Sequence, residues 1–179
     1  MDGTTPIRLL IALSDERDQL FNSEYMVARI APPYYLFKDR SADVALASPL
    51  GGPPTLAPDI RQPSREDLHV KRFLSDRTAR DDLADCLPIN QVVIEDFDAA
   101  FCIGISGSIW ATSEGGLAPT VRSFLDQGKP VAVVPGRRLD LTSDRPRGGV
   151  LIVCDTKDSP ILAAHALFKV ASVRRRLLA

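Results

Sequence analysis

The chain is predicted to be an α/β domain with a mainly parallel central sheet and helices on both of its faces. Three observations predict it. Short apolar runs recur at Ile7–Leu13, Ala42–Ala47, Ala99–Ile103, Val131–Val134 and Val150–Val153, and runs apolar at every position belong to strands covered on both sides. Helical spacings lie between them, as in Leu117, Val121 and Leu125, which fall four apart on one stripe. The two patterns alternate along the chain, the sequence form of parallel crossover connections. At 179 residues the simplest organisation is one domain, 1–179, with length enough to bury a core.

The elements follow in order. Ile7–Leu13 is the first strand. Ser23 is placed to cap a helix carrying Met26, Ile30, Pro33 and Phe37, although Pro32 and Pro33 should kink or restart it. Ala42–Ala47 is the second strand. The glycine- and proline-rich SPLGGPPTLAPD that follows reads as loop. Two short, heavily charged helices are expected between Ser64 and Asp85, and Val92–Ile94 reads as a short strand. Ala99–Ile103 stops at Gly104, with Gly107 inside the ensuing turn. The Leu117 helix ends at Gly128, where a helix commonly stops. Val131–Val134 reads as a central strand ending at Pro135, and GRRLDLTSDRPRGG as a polar loop anchored by Leu139 and Leu141. Val150–Val153 reads as another buried strand, closed by Cys154 and Asp155. Ser159 and Pro160 then open a final helix, proline suiting its first position. Leu162, Ala166, Val170, Val173 and Leu177 form its apolar stripe.

Composition narrows the function. A formal net charge of −1 gives no long-range field toward nucleic acid or an acidic membrane. The one basic run, Arg174–Arg176, lies in the last turn of a helix, where cations complement the dipole. No window approaches the roughly 20 apolar residues of a membrane span, and the apolar run near the N-terminus is too short for a signal peptide. Three cysteines and two histidines without C-x-x-C spacing give no structural zinc site, and no cofactor motif is present. A reducing, cytoplasmic setting is expected.

Four segments carry a family resemblance. Ala31-Pro32-Pro33-Tyr34-Tyr35-Leu36-Phe37 resembles the helix segment A-A-P-Y-Y-V-F, and Ala47-Ser48-Pro49-Leu50-Gly51-Gly52 the loop A-S-P-x-G-G. Asp96-Phe97-Asp98-Ala99-Ala100-Phe101, running to Gly107 and Trp110, resembles D-Y-D-A-x-F-x-P-G-G-H-G-x-x-W. Gly128–Val134 resembles G-K-P-V-A-A-V. In these segments the chain resembles the ThiJ/PfpI superfamily, class I glutamine amidotransferase-like proteins, nearest the bacterial chaperone and glyoxalase III branch. The likeness covers residues 7 to 136 and is weak afterwards. It implies a flavodoxin-like three-layer sandwich and a homodimer.

The residues that would carry the family's chemistry are the ones that differ. Where the family has C-H-G, with the cysteine as nucleophile on a sharp strand-to-helix turn, this chain has Pro135-Gly136-Arg137. The family's glutamate, four residues before the helix proline, corresponds to Arg29. The turn G-G-H-G, one of whose amides holds an oxyanion, corresponds to Gly104-Ile105-Ser106-Gly107. A thiol nucleophile needs sulfur at the elbow and a group that sets its pKa; proline and arginine supply neither. Cys-dependent deglycase, glyoxalase or protease chemistry of the family kind is thereby excluded at that position.

Ligands of open α/β sheets bind at the carboxyl ends of the strands, so the candidate pocket is Arg29, Ile105, Ser106, Gly107, Trp110, Glu114, Pro135, Gly136, Cys154 and Asp155. Arg29 could bind an anion, or simply pair with a surface acid. Ser106 could hydrogen-bond a ligand, but no histidine is near in sequence to make it a nucleophile. Cys154 could be a displaced thiol or a small buried hydrophobe. Glu114 and Asp155 are the carboxylates placed to reach the edge, either for acid–base work or as caps. His69 and His165 read as structural, and Trp110, Tyr34 and Tyr35 as apolar walls. Two functions fit: binding or thiol-independent transformation of a small molecule at this edge, or a catalytically inactive pseudoenzyme acting through its surface as a chaperone-like or interaction subunit.

Overall fold

The computed structural model describes residues 5–14, 23–53, 68–110, 117–141, 148–154 and 160–178, the side chains of 23–26, 106 and 136–138 excepted. Its strands are β1 (Arg8–Leu13), β2 (Asp43–Ser48), β3 (Leu87–Pro88), β4 (Ala99–Ser108), β5 (Val131–Asp140) and β6 (Leu151–Val153). Its helices are α1 (Ser23–Lys38), α2 (Leu68–Ser75), α3 (Arg77–Ala84), α4 (Ala118–Asp126) and α5 (Pro160–Leu178). The strands form one sheet in the order β3-β2-β1-β4-β5-β6, every neighbouring pair parallel. This is a flavodoxin-like α/β arrangement.

Because side chains alternate across a strand, the apolar runs supply two cores. Leu9, Ile11 and Leu13 of β1, Phe101 and Ile103 of β4, and Val134 of β5 pack with α1, α2, α3 and α5 on one face. Leu10, Ala12, Cys102, Val131 and Val133 pack with α4 on the other. β5 lies between β4 and β6, and Val131–Val134 are wholly buried, as their pattern predicts.

The structure corrects five expectations. Val92–Ile94 is not a strand: Val92 and Val93 link two short 3-10 turns, Ile89–Gln91 and Ile94–Asp96, and Ile94 opens the second. The place beside β2 is taken earlier, by Leu87 and Pro88, and a proline has no amide to extend that ladder. α1 runs unbroken through Pro32 and Pro33. Every residue from Arg29 to Phe37 is buried, and contacts on all sides hold the helix where local propensity would break it. The turn placed at Gly104–Gly107 is strand, and so is the start of the loop placed after Pro135, since β4 and β5 run on to Ser108 and Asp140. β6 is a partly exposed edge strand rather than a buried one, with Val153 39% exposed. The fifth difference lies in α5.

On α5 the predicted stripe faces outward. Leu162 and Leu177 are 63% and 81% exposed, whereas Ala163, Ala164, Leu167 and Ala171 are buried. Alanines allow the helix axis to approach its neighbours closely. Phe168 follows them inward and stacks on Phe37 of α1, ring centroids 6.4 Å apart.

Two sets of polar bonds fasten the outer layer. The Tyr34 hydroxyl donates to the Asp82 carboxylate at 2.6 Å, and the Tyr35 hydroxyl to Asp76 at 3.0 Å. Asp76 also caps α3 by accepting from the Thr78 and Ala79 amides. Arg72 of α2 lies 3.7 Å over the Tyr35 ring and makes two bonds to Asp39. On the opposite face Lys129 Nζ donates to the Ile94 and Phe97 carbonyls, both at 2.7 Å. Burial, and next the neighbouring Arg174, lowers that lysine's pKa.

Burial, followed by the bond to Asp82, holds the Tyr34 phenol above its ordinary range. The unfolded chain therefore releases this proton first, and the stabilisation is complete below about pH 10 and lost as pH rises beyond it. Tyr34→Phe removes a bond to a carboxylate and should lower unfolding free energy by about 1–3 kcal/mol at pH 7. Denaturant titrations of the two proteins should differ less above pH 10 than at pH 7; a constant difference across that range would refute this assignment.

Candidate functional site

The strands reach their carboxyl ends at different heights, and this sets the geometry of the edge. The strand order reverses between β1 and β4, the point at which open α/β sheets commonly bind ligands. β1 stops at Leu13, and the Ser14 amide donates to the Ile103 carbonyl at 2.9 Å. β4 continues upward past it. Gly104 takes φ +87°, and a Cβ built there would stand 3.1 Å from Ser14 Cβ. Only glycine combines that backbone with so close an approach.

Gly104 also redirects the remainder of β4. Residues 99, 101 and 103 face the α1 and α5 core, and strict alternation would put residue 105 there too. The register shifts between Ile103 and Ile105, and Ile105 packs instead with Ile109 and α4 on the other face. One extra residue in a ladder reverses the facing of every side chain beyond it. A second shift precedes the pairing of Gly107 with Leu139 and Ser108 with Asp140. Pro135 is buried and opposite Ile105 at the first shift, a place where a ladder tolerates a residue with no amide.

The paired extension is fastened at its tip. Trp110 Nε1 donates to the Leu141 carbonyl at 3.1 Å, and Arg122 of α4 donates through Nη1 to the Ile109 carbonyl at 2.8 Å. A sharp strand-to-helix turn of the kind that presents a nucleophile does not exist at residue 135. Strand continues there.

The candidate residues are thereby divided between faces. Cys154, 4% exposed, belongs to the cluster that includes Val27, Ile30 and Val134, and its amide donates to the Val133 carbonyl at 2.9 Å. Arg29 is buried on α1, with Nη1 closed off from water. Ile105 and the half-buried Trp110 belong to the α4 face. Gly107 is exposed. Glu114 and Asp155, and the side chain of Ser106, lie outside the described residues; Gly136 contributes its backbone to β5. Sequence reasoning overlooked Ser14 and Arg122. Ser14 was open to discovery as the residue directly after a strand at the reversal point, whereas nothing in the sequence pairs Arg122 with the Ile109 carbonyl.

Among the described residues no group of three or more His, Cys, Asp or Glu side chains could hold a metal ion. No described helix is long and apolar enough to cross a membrane.

Solved structures share this architecture. The Rapid Encystment Protein 24 KDa of Francisella tularensis superposes with a TM-score of 0.65 at 12% identity, covering 92% of this chain and 99% of that one. Glyoxalase III from Candida albicans superposes with a TM-score of 0.50 at 13% identity, covering 91% and 96%. The likeness establishes the fold. No family model matches the chain, and no curated protein sequence matches it.

The three cysteines are free and buried. Burial pushes the Cys102 thiol up to about 12, and burial with the nearby Asp82 and Asp85 carboxylates does the same for Cys86. At such a pKa about one thiol in ten thousand is ionised at pH 8, and the thiolate is the reacting form. Iodoacetamide at neutral pH should therefore label the native protein slowly and all three cysteines rapidly in denaturant. Fast stoichiometric labelling of Cys154 in the native state would instead reveal a relocated nucleophile.

Gly104→Ala should cost about 1–3 kcal/mol, because an L side chain must then adopt a left-handed conformation against Ser14. A thermal unfolding midpoint equal to that of the unmodified chain would show that the edge can relax.

Proposed function

We propose that the chain is a divergent ThiJ/PfpI-type protein that binds a small anionic or strongly polar molecule at the carboxyl edge of its sheet. Any transformation there proceeds without a thiol nucleophile. The observation that carries this reading is Arg29, a permanent cation buried on α1, the helix that follows β1 in the chain. The planar guanidinium fork matches carboxylate and phosphate oxygens, which sets the ligand class. Pro135 is buried in the β4–β5 pairing and offers no reacting atom. Free, buried cysteines suit a reducing, cytoplasmic setting.

Inorganic phosphate, sulfate and short dicarboxylates should be titrated against the protein while its thermal midpoint is followed. At least one should raise the midpoint, and Arg29→Lys, which keeps the charge and loses the fork, should weaken that ligand by about 10- to 100-fold. Arg29→Ala should abolish the effect. If both variants fold and respond to every anion as the unmodified chain does, the ligand reading fails.

A second reading has its own support. Leu162, Val173 and Leu177 make an apolar outer face on α5, which suits a pseudoenzyme that works through protein contacts. A second copy of the chain is the first partner to consider.

A further inference from the structure

We propose that the Ser14 hydroxyl is a ligand-contacting donor of the edge site, giving an oxyanion a neutral hydrogen bond at the foot of the step between β1 and β4. This rests on the anion reading above and adds to it a second residue, one carried by the sheet itself.

Strand lengths set the step. Leu13, the last residue of β1, pairs with Ile103, and β4 runs on from that level to Ser108. At about 3.3 Å per residue, β4 rises up to roughly 15 Å above the end of β1. The strand order reverses between these two strands, and Ser14 is the first residue past β1.

Ser14 is held there without the use of its hydroxyl. Its amide donates to the Ile103 carbonyl at 2.9 Å. Its Cβ lies 3.1 Å from the place that a Cβ on Gly104 would take, so the serine packs directly against the β4 backbone. The residue is half-buried, and among the described residues no group bonds its hydroxyl. A donor fixed before its ligand arrives loses little freedom on binding it.

Ser48 shows the alternative. The register of β1 with β2 sets Ala12 beside Ala47, so Ser48 ends β2 one residue below the level of Ser14. It is 3% exposed, and its hydroxyl donates to the Gly52 carbonyl at 3.1 Å. That bond closes a turn which the Gly52 amide also ties to the Cys86 carbonyl. Serine hydroxyls commonly bond nearby backbone groups in this way. One serine at this edge is thus spent on the fold, and the other is left for a ligand.

The chemistry of the group narrows what it recognises. A hydroxyl donates one hydrogen bond and carries no charge, so Ser14 contributes direction rather than long-range attraction. Such bonds to ionised oxygens are short and strong. Carboxylate, sulfate and phosphate oxygens therefore gain from Ser14, whereas a halide offers no oxygen to receive the bond.

Titration of inorganic phosphate, sulfate and succinate against the thermal midpoint provides the test, with chloride at matched ionic strength as reference. Ser14→Ala should leave the midpoint without oxyanion within about 1 °C of the unmodified chain, since no described contact is lost. It should weaken binding of the stabilising oxyanion by about 10- to 100-fold. Ser14→Asp, which sets a like charge at the same place, should abolish the response. Ser48→Ala should do the reverse, lowering the midpoint by about 2–4 °C with the oxyanion response intact. A Ser14→Ala response equal to that of the unmodified chain, with Arg29→Lys weakened, overturns the role of Ser14 and leaves the anion reading standing. A Ser14→Ala midpoint that falls as far as that of Ser48→Ala overturns it too, since the hydroxyl then belongs to the fold. If no oxyanion raises the midpoint of the unmodified chain above chloride, the anion reading and the role of Ser14 fail together.

Discussion

The continued pairing of β4 with β5 above the level where β1 and β6 stop is the constraint on which the candidate site depends. It is made possible by one residue in a left-handed conformation, Gly104 at φ +87°, and by two register shifts that absorb the mismatch between the strands. Together they reverse the facing of Ile105, set Pro135 opposite it, and turn an expected elbow into strand. Trp110 and Arg122 then fasten the tip through the Leu141 and Ile109 carbonyls. The described part of this edge is thus shaped by backbone geometry, and strand takes the place of a turn at residue 135.

α1 shows a second constraint of the same kind. Its two internal prolines each remove a helical hydrogen bond, yet the helix continues because it is enclosed by the sheet, α2 and α5. Enclosure also brings polar groups into an apolar layer, where hydrogen bonds meet them. The tyrosine hydroxyls reach Asp82 and Asp76, and those bonds hold α3 against α1. Lys129 has a comparable role on the opposite face, where its ammonium joins the turn at Ile94 to the start of β5. Buried polar groups that are hydrogen-bonded give a fold its particular arrangement, while the apolar contacts supply most of its stability.

The lack of a nucleophile at residue 135 and the presence of an arginine at residue 29 were legible directly, because residue identity is enough to exclude a thiol at a given position. That Arg29 is buried was not legible, since the charge itself suggests solvent. The α5 stripe is the sharper case. Periodicity located the helix and its apolar positions correctly, but it could not say which of two apolar faces turns inward. Four-residue spacing among leucines and valines outweighed the alanines in the pattern, whereas close packing favoured the alanines.

Local pattern and residue identity were enough for the class of fold, for the beginnings of β1, β2, β4, β5 and β6 to within a residue, for the α4 helix and for the absence of a thiol at residue 135. These depend on periodicity over a few residues and on the chemistry of single side chains. Long-range packing settled where β4 and β5 end, which face Ile105 occupies, that α1 survives its prolines, and which side of α5 is left open. Each of those outcomes turns on a neighbour distant in the chain: Ser14 against Gly104, Pro135 opposite Ile105, Phe37 beneath Phe168. Such contacts leave no periodic trace, because the residues that make them are ordinary in their own segments and acquire meaning only when folding brings them together.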